Sequence, residues 1–137
     1  MNRNDLRGLA RTRLREAKSL LASGHHAGAY YLAGYVVECA LKACIAKQTA
    51  RYEFPNKERV SQSWSHSLPG LVQIAGLQRA LTDESDADPQ FGVYWGVVKD
   101  WKADARYTSR GQSEAEEIVR AISDRRHGVL RWLRAHW

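Results

Sequence analysis

The sequence predicts an all-α protein: an up-and-down bundle of about five helices, forming a single domain over residues 1–137. Three observations lead there. Apolar residues recur at helical spacing along most of the chain. No good stretch alternates as a half-buried strand does. The connections between periodic segments are short to moderate, as in bundles of antiparallel helices.

The first helix is expected from about Asp5 to Ala22, where Leu6, Leu9, Leu14, Ala17, Leu20 and Leu21 form one stripe. Gly24 then acts as a C-terminal stop. The second, from about His26 to Gln48, places Tyr30, Gly34, Val37, Leu41, Cys44 and Ile45 on one face. Alanines and Leu32 widen that face, so this helix should be the most buried. Thr49 to Ser65, with Pro55, reads as a connection. Ser67 caps a third helix with Pro69 in its first turn, and Leu68, Leu71, Val72, Ala75 and Leu81 follow. The acidic stretch Asp83 to Pro89 should break the chain. Phe91, Tyr94, Trp95, Val98 and Trp101 mark an aromatic fourth helix, and Arg106 to Gly111 a loop. Ser113 and Glu116 fit a capping box. It opens a last helix that turns Ala115, Ile118, Val119, Ile122, Val129, Leu130 and Leu133 inward, nearly to the C-terminus.

Composition narrows the function classes. No uninterrupted apolar run approaches the ~18 residues of a membrane span. The charged N-terminus lacks a signal core, so the expected compartment is the cytoplasm. Cys39 and Cys44 share a helix and point about 140° apart at ~100° per residue, which suits packing better than a disulfide. No His/Cys cluster has zinc spacing, and neither metal nor cofactor is expected. The net charge of +6 permits a polyanionic partner without identifying one.

A few residues carry chemistry. Glu38 lies on the inner side of the second helix, where a carboxylate needs a partner or a solvated cleft. Lys42, one turn on, could hold it in a rim salt bridge. Alternatively Glu38 lines a polar pocket between helices. His66 either fixes the entry of the third helix or joins that pocket. Arg106, beside Tyr107, follows the aromatic helix and suits a fixed guanidinium, paired with Glu38 or holding a phosphate. Arg3, Arg7, Arg11, Arg15 and Lys18 form a basic stripe on the first helix. It is either a solvated face or a phosphate track whose binding would weaken with salt.

The run from Tyr30 to Ala43, with Gly34, Glu38 and Lys42, resembles the second helix of the HEPN (higher eukaryotes and prokaryotes nucleotide-binding) family. His66-Ser67-Leu68 resembles the family's His-x-Leu element, and Trp101 with Arg106-Tyr107 resembles elements of its small stand-alone bacterial members. The resemblance covers about Leu6 to Leu133. It implies a helical bundle that often forms a homodimer and works on RNA or a nucleotide. The setting would be a toxin–antitoxin or defence system beside a nucleotidyltransferase antitoxin. Many active members are metal-independent endoribonucleases marked by Arg-x4–6-His, with the two residues facing their counterparts across the dimer. Arg131 with His136 and Arg120 with His127 have that spacing here, but Trp132 and Ala121 follow the arginines, where the family often has Asn, Asp or His. In such a site histidine moves the 2′-hydroxyl proton and arginine stabilises the phosphorane charge. The remaining reading is non-catalytic: the motifs pack the bundle and its dimer, and function lies in the partner.

Overall fold

The computed structural model describes residues 1–51, 65–107 and 109–137, with the side chains of Ala50, Arg51 and Arg106 outside that description. Among the described residues there are seven α-helices, one 3₁₀ turn and no strand. The helices are α1 (Arg3–Ala22), α2 (His26–Arg51), α3 (Leu68–Ile74), α4 (Gln78–Ala87), α5 (Pro89–Val98), α6 (Gln112–Ser123) and α7 (Val129–Arg134). The 3₁₀ turn, Ala103–Tyr107, stands within the expected loop. Most of the connection from Thr49 to Ser65, including Pro55, lies outside the described residues.

The all-helical expectation holds, and the extra helices come from two breaks. The third segment divides at Gly76, whose φ of +69° is left-handed and easy only for glycine. Gly76 N donates to Gln73 O (2.9 Å) and Leu77 N to Val72 O (3.0 Å), which closes the last carbonyls of α3. Gly24, with φ +81°, ends α1 in the same way through His25 N to Leu20 O (2.8 Å). The last segment divides at Asp124, whose Oδ1 accepts from Arg126 N (2.9 Å) and His127 N (2.8 Å) and folds the chain into a turn.

One further expectation is narrowed and one is corrected. The break expected over Asp83 to Pro89 falls at the end of that stretch, because α4 runs on to Ala87. The break comes at Asp88, which caps α5 by accepting from Phe91 N (3.3 Å), with Pro89 in the first turn. Ser113 and Glu116 form no capping box: the N-cap of α6 is Gly111, and Glu116 instead accepts from Gln112 Nε2 (2.7 Å). A capping box does form at Asn2 and Asp5, which opens α1 two residues early. Ser67 and Pro69 start α3 as expected.

Helix α2 is central, packed against α1, α3, α6, α7 and the 3₁₀ turn. Its Ala29, Ala33, Val36, Val37, Ala40, Leu41, Ala43 and Cys44 are all fully buried. By length and composition His26–Thr49 could cross a membrane, contrary to the reading of uninterrupted runs, but 72% of its apolar window is buried inside the bundle. Gly34 lets Trp101 lie directly on the α2 backbone: a Cβ there would sit 2.1 Å from the indole. Tyr31 stacks on the same indole, with centroids 6.1 Å apart.

Candidate functional site

Among the described residues Glu38 is the one buried polar or charged side chain, 1% exposed. One turn before it, Trp101 covers Gly34. One turn after it, Lys42 reaches back along α2, with Nζ 3.5 Å from Glu38 Oε2. The third member comes from the other side. Leu68, Leu71 and Val72 bury the inner face of α3, and Ser67 caps that helix by accepting from Gly70 N (3.3 Å). This seating holds the preceding residue, His66, over α2, where its Nδ1 lies 2.6 Å from Glu38 Oε1.

Each Glu38 oxygen therefore has one cation-capable partner, which is how a carboxylate is kept inside a helical core. The acid is sealed off, while Lys42 keeps 21% and His66 56% of its side chain exposed. With Nδ1 turned to the carboxylate, His66 can offer Nε2 to a ligand. Burial, and then the Glu38 charge, raise the Tyr35 phenol above its usual 10.0. The same two causes push the Cys39 thiol to about 12, so it packs as a neutral group. Cys44 also rises to about 12 through burial, and both cysteines are free.

Of the five candidate pocket residues, Glu38, Lys42 and His66 are brought together. Tyr107 is 77% exposed on the 3₁₀ turn, which packs against α2. The proposed Glu38–Arg106 pairing lies outside the described residues, because it rests on the Arg106 side chain. The basic stripe divides. Arg3 Nε donates to Trp137 O (2.8 Å), and the guanidinium groups of Arg7 and Arg11 lie over the Trp137 ring at 5.3 and 5.0 Å. Arg15 bonds Thr12 (3.2 Å), and Lys18 is exposed.

A model of the HEPN domain matches residues 4–135 of the 137-residue chain. The chain belongs to the HEPN family. Comparison with curated proteins and with solved structures finds no match. The HEPN fold is all-helical, as here, and membership supports a nucleotide- or RNA-related role at the level of the family.

In this HEPN protein the four Arg–His candidates have different surroundings. Arg131 Nη2 donates to Glu84 Oε1 (2.8 Å). His136 packs edge-on against Trp132 at 5.3 Å, and its pKa is lowered by burial and by the Lys47 charge, with Glu84 opposing. His127 Nδ1 sits 2.7 Å from Asp88 Oδ2, while the Arg120 side chain is exposed and makes no hydrogen bond or ion pair among the described residues. The acids Glu84 and Asp88 escape sequence reading because α4 and the α4–α5 junction reach α7 only through the tertiary fold. Arg110 escapes it too: its guanidinium lies 4.7 Å over the Tyr30 ring and 3.0 Å from Glu114.

Proposed function

We propose that this HEPN-domain protein binds the phosphates of RNA or of a nucleotide with Lys42 and His66, which Glu38 orients from inside the bundle. One observation carries the reading: a fully buried carboxylate holds two partly exposed cation-capable side chains at 3.5 and 2.6 Å. Such an arrangement fixes donors in advance, so less ordering entropy is lost when an anion arrives. In this reading Tyr107, exposed on the 3₁₀ turn that packs against α2, stacks on a base, and Arg106 adds a charge in the same stretch. The setting we propose is a cytoplasmic toxin–antitoxin or defence system. In it the protein acts as a homodimer and is paired with a nucleotidyltransferase antitoxin.

The test is binding of a labelled single-stranded RNA, and separately of ATP, measured by anisotropy across a salt series. His66→Ala and Lys42→Ala should each weaken binding by about tenfold, a loss of ~1.4 kcal/mol. Lys42→Ala should also reduce the salt slope by about one counterion. Unchanged binding by a folded Lys42→Ala, His66→Ala double variant removes the proposal.

A second reading is favoured by Glu84, which pairs with Arg131 at 2.8 Å and whose charge also acts on His136. In it the protein is a metal-independent endoribonuclease, and RNA must displace Glu84 from Arg131. RNA cleavage in EDTA that disappears in His136→Ala supports it. Cleavage that survives in a protein carrying both His136→Ala and His127→Ala eliminates both pairs.

A further inference from the structure

A groove of about 400 Å³ runs between α5 and α6 over the start of α2, lined by Tyr30, Val93, Gly96, Val97, Asp100, Glu114 and Glu117. Its charge runs against the molecule: the chain carries +6, yet the groove gathers three carboxylates. Val93, Gly96 and Val97 supply its apolar surface, with Val93 61% exposed and open space where a Gly96 Cβ would be. Tyr30 is 8% exposed and lines the groove, and its hydroxyl has no hydrogen-bond partner among the described residues. The groove already holds one cation at its rim, since the Arg110 guanidinium lies over the Tyr30 ring and against Glu114.

We propose that this groove binds a linear aliphatic polyamine. Its ammonium groups meet Asp100, Glu117 and the Tyr30 hydroxyl, and its methylene segments lie on Val93, Gly96 and Val97. The shape of the charge selects this class. No three His, Cys, Asp or Glu side chains converge on a point among the described residues, so a compact divalent ion lacks a coordination set. An anionic strand is repelled. A two-fold dimer through this face would set three carboxylates against three. A chain of separated positive charges joined by methylenes satisfies both the spread of acids and the apolar side chains between them.

The experiment is calorimetric titration of the whole protein with spermidine at low salt. Saturable binding of one spermidine per chain is expected. Asp100→Asn with Glu117→Gln should weaken it at least about tenfold, and Tyr30→Phe should weaken it less. Arg110→Gln should tighten it by removing the resident cation. Asp83→Asn with Asp86→Asn removes the same charge from exposed positions on α4 and should leave it unchanged. Absence of saturable binding overturns the proposal. So does equal weakening in the α4 control, which marks general charge attraction. Binding of a hexa-arginine peptide without spermidine also overturns it, in favour of a docked protein segment. All the altered carboxylates are exposed, and helical circular dichroism checks that each variant folds.

Discussion

Trp101 packs on Gly34, and what permits it is the absence of one carbon. The indole occupies the space where any other residue would carry its Cβ, 2.1 Å away. Gly34→Ala therefore must move a side chain that is 1% exposed and stacked on Tyr31. Overpacking of this kind costs about 1–3 kcal/mol, and more when the neighbour cannot yield. Urea denaturation should show a lower midpoint with an unchanged slope, and a stability equal to wild type would mean the indole is not seated there. His136 is the second residue with a definite consequence. Its folded pKa lies below the usual 6.5, through burial and then the Lys47 charge. The unfolded chain takes up the proton first, so this group's contribution is full above 6.5 and is lost as pH falls through the folded value. His136→Gln should flatten the fall in melting temperature from about pH 7 to pH 5. An unaltered slope would refute the assignment. Much of the residue scale is legible in the sequence. The i, i+4 spacing announces Lys42 beside Glu38, and the helical wheel turns that acid inward. His66 is nearer to being hidden, because its approach depends on α3 docking across α2.

Elements are legible wherever their stripes are long. The two longest helices, α1 and α2, follow directly from periodicity, and Ser67-Leu68-Pro69 announces α3. The boundaries set by backbone geometry do not show. Gly76 resembles any glycine in a helical pattern until its left-handed φ is known, and Asp124 ends α6 through hydrogen bonds to the residues just beyond it. Asp88 joins the two kinds of information. Its carboxylate caps α5 through Phe91 N and pairs with His127, and the His127 hydrogen bond is the largest cause of its pKa falling below 3.8. The ionised form is the one that the fold favours, so its stabilisation is present above about 3.8 and lost as pH falls through the depressed value. Asn can cap a helix but cannot be an anion. Melting temperature at neutral pH should fall in the order wild type, Asp88→Asn, Asp88→Ala, and acid sensitivity should be smaller in both variants. If Asp88→Asn matches wild type at both neutral and acid pH, the His127 pair contributes nothing and the cap alone remains.

At the scale of the molecule, a single aromatic residue decides how the basic stripe on α1 is used. Trp137 is 4% exposed, and Arg3, Arg7 and Arg11 gather on its carbonyl and ring. The periodicity of α1 shows that these arginines share a face. It cannot show that a residue more than a hundred positions away covers that face, because only the closed bundle brings them together. The stripe thus combines two roles that a charge count merges. Arg7 and Arg11 brace the packing of α1 against Trp137, with their guanidinium groups held over an aromatic face. Arg15 and Lys18, farther along, are exposed and away from that ring. Trp137→Ala should destabilise the fold by about 3–5 kcal/mol, as removal of a buried indole usually does. Arg7→Gln with Arg11→Gln should lower the melting temperature and hardly change the salt dependence of RNA binding. Arg15→Gln with Lys18→Gln should do the reverse, preserving stability and reducing the slope by up to two counterions. Both double variants remove the same charge, so attraction by net charge alone would move their salt slopes equally. Equal slopes, with equal stabilities, would show that the division of the stripe by Trp137 has no energetic meaning.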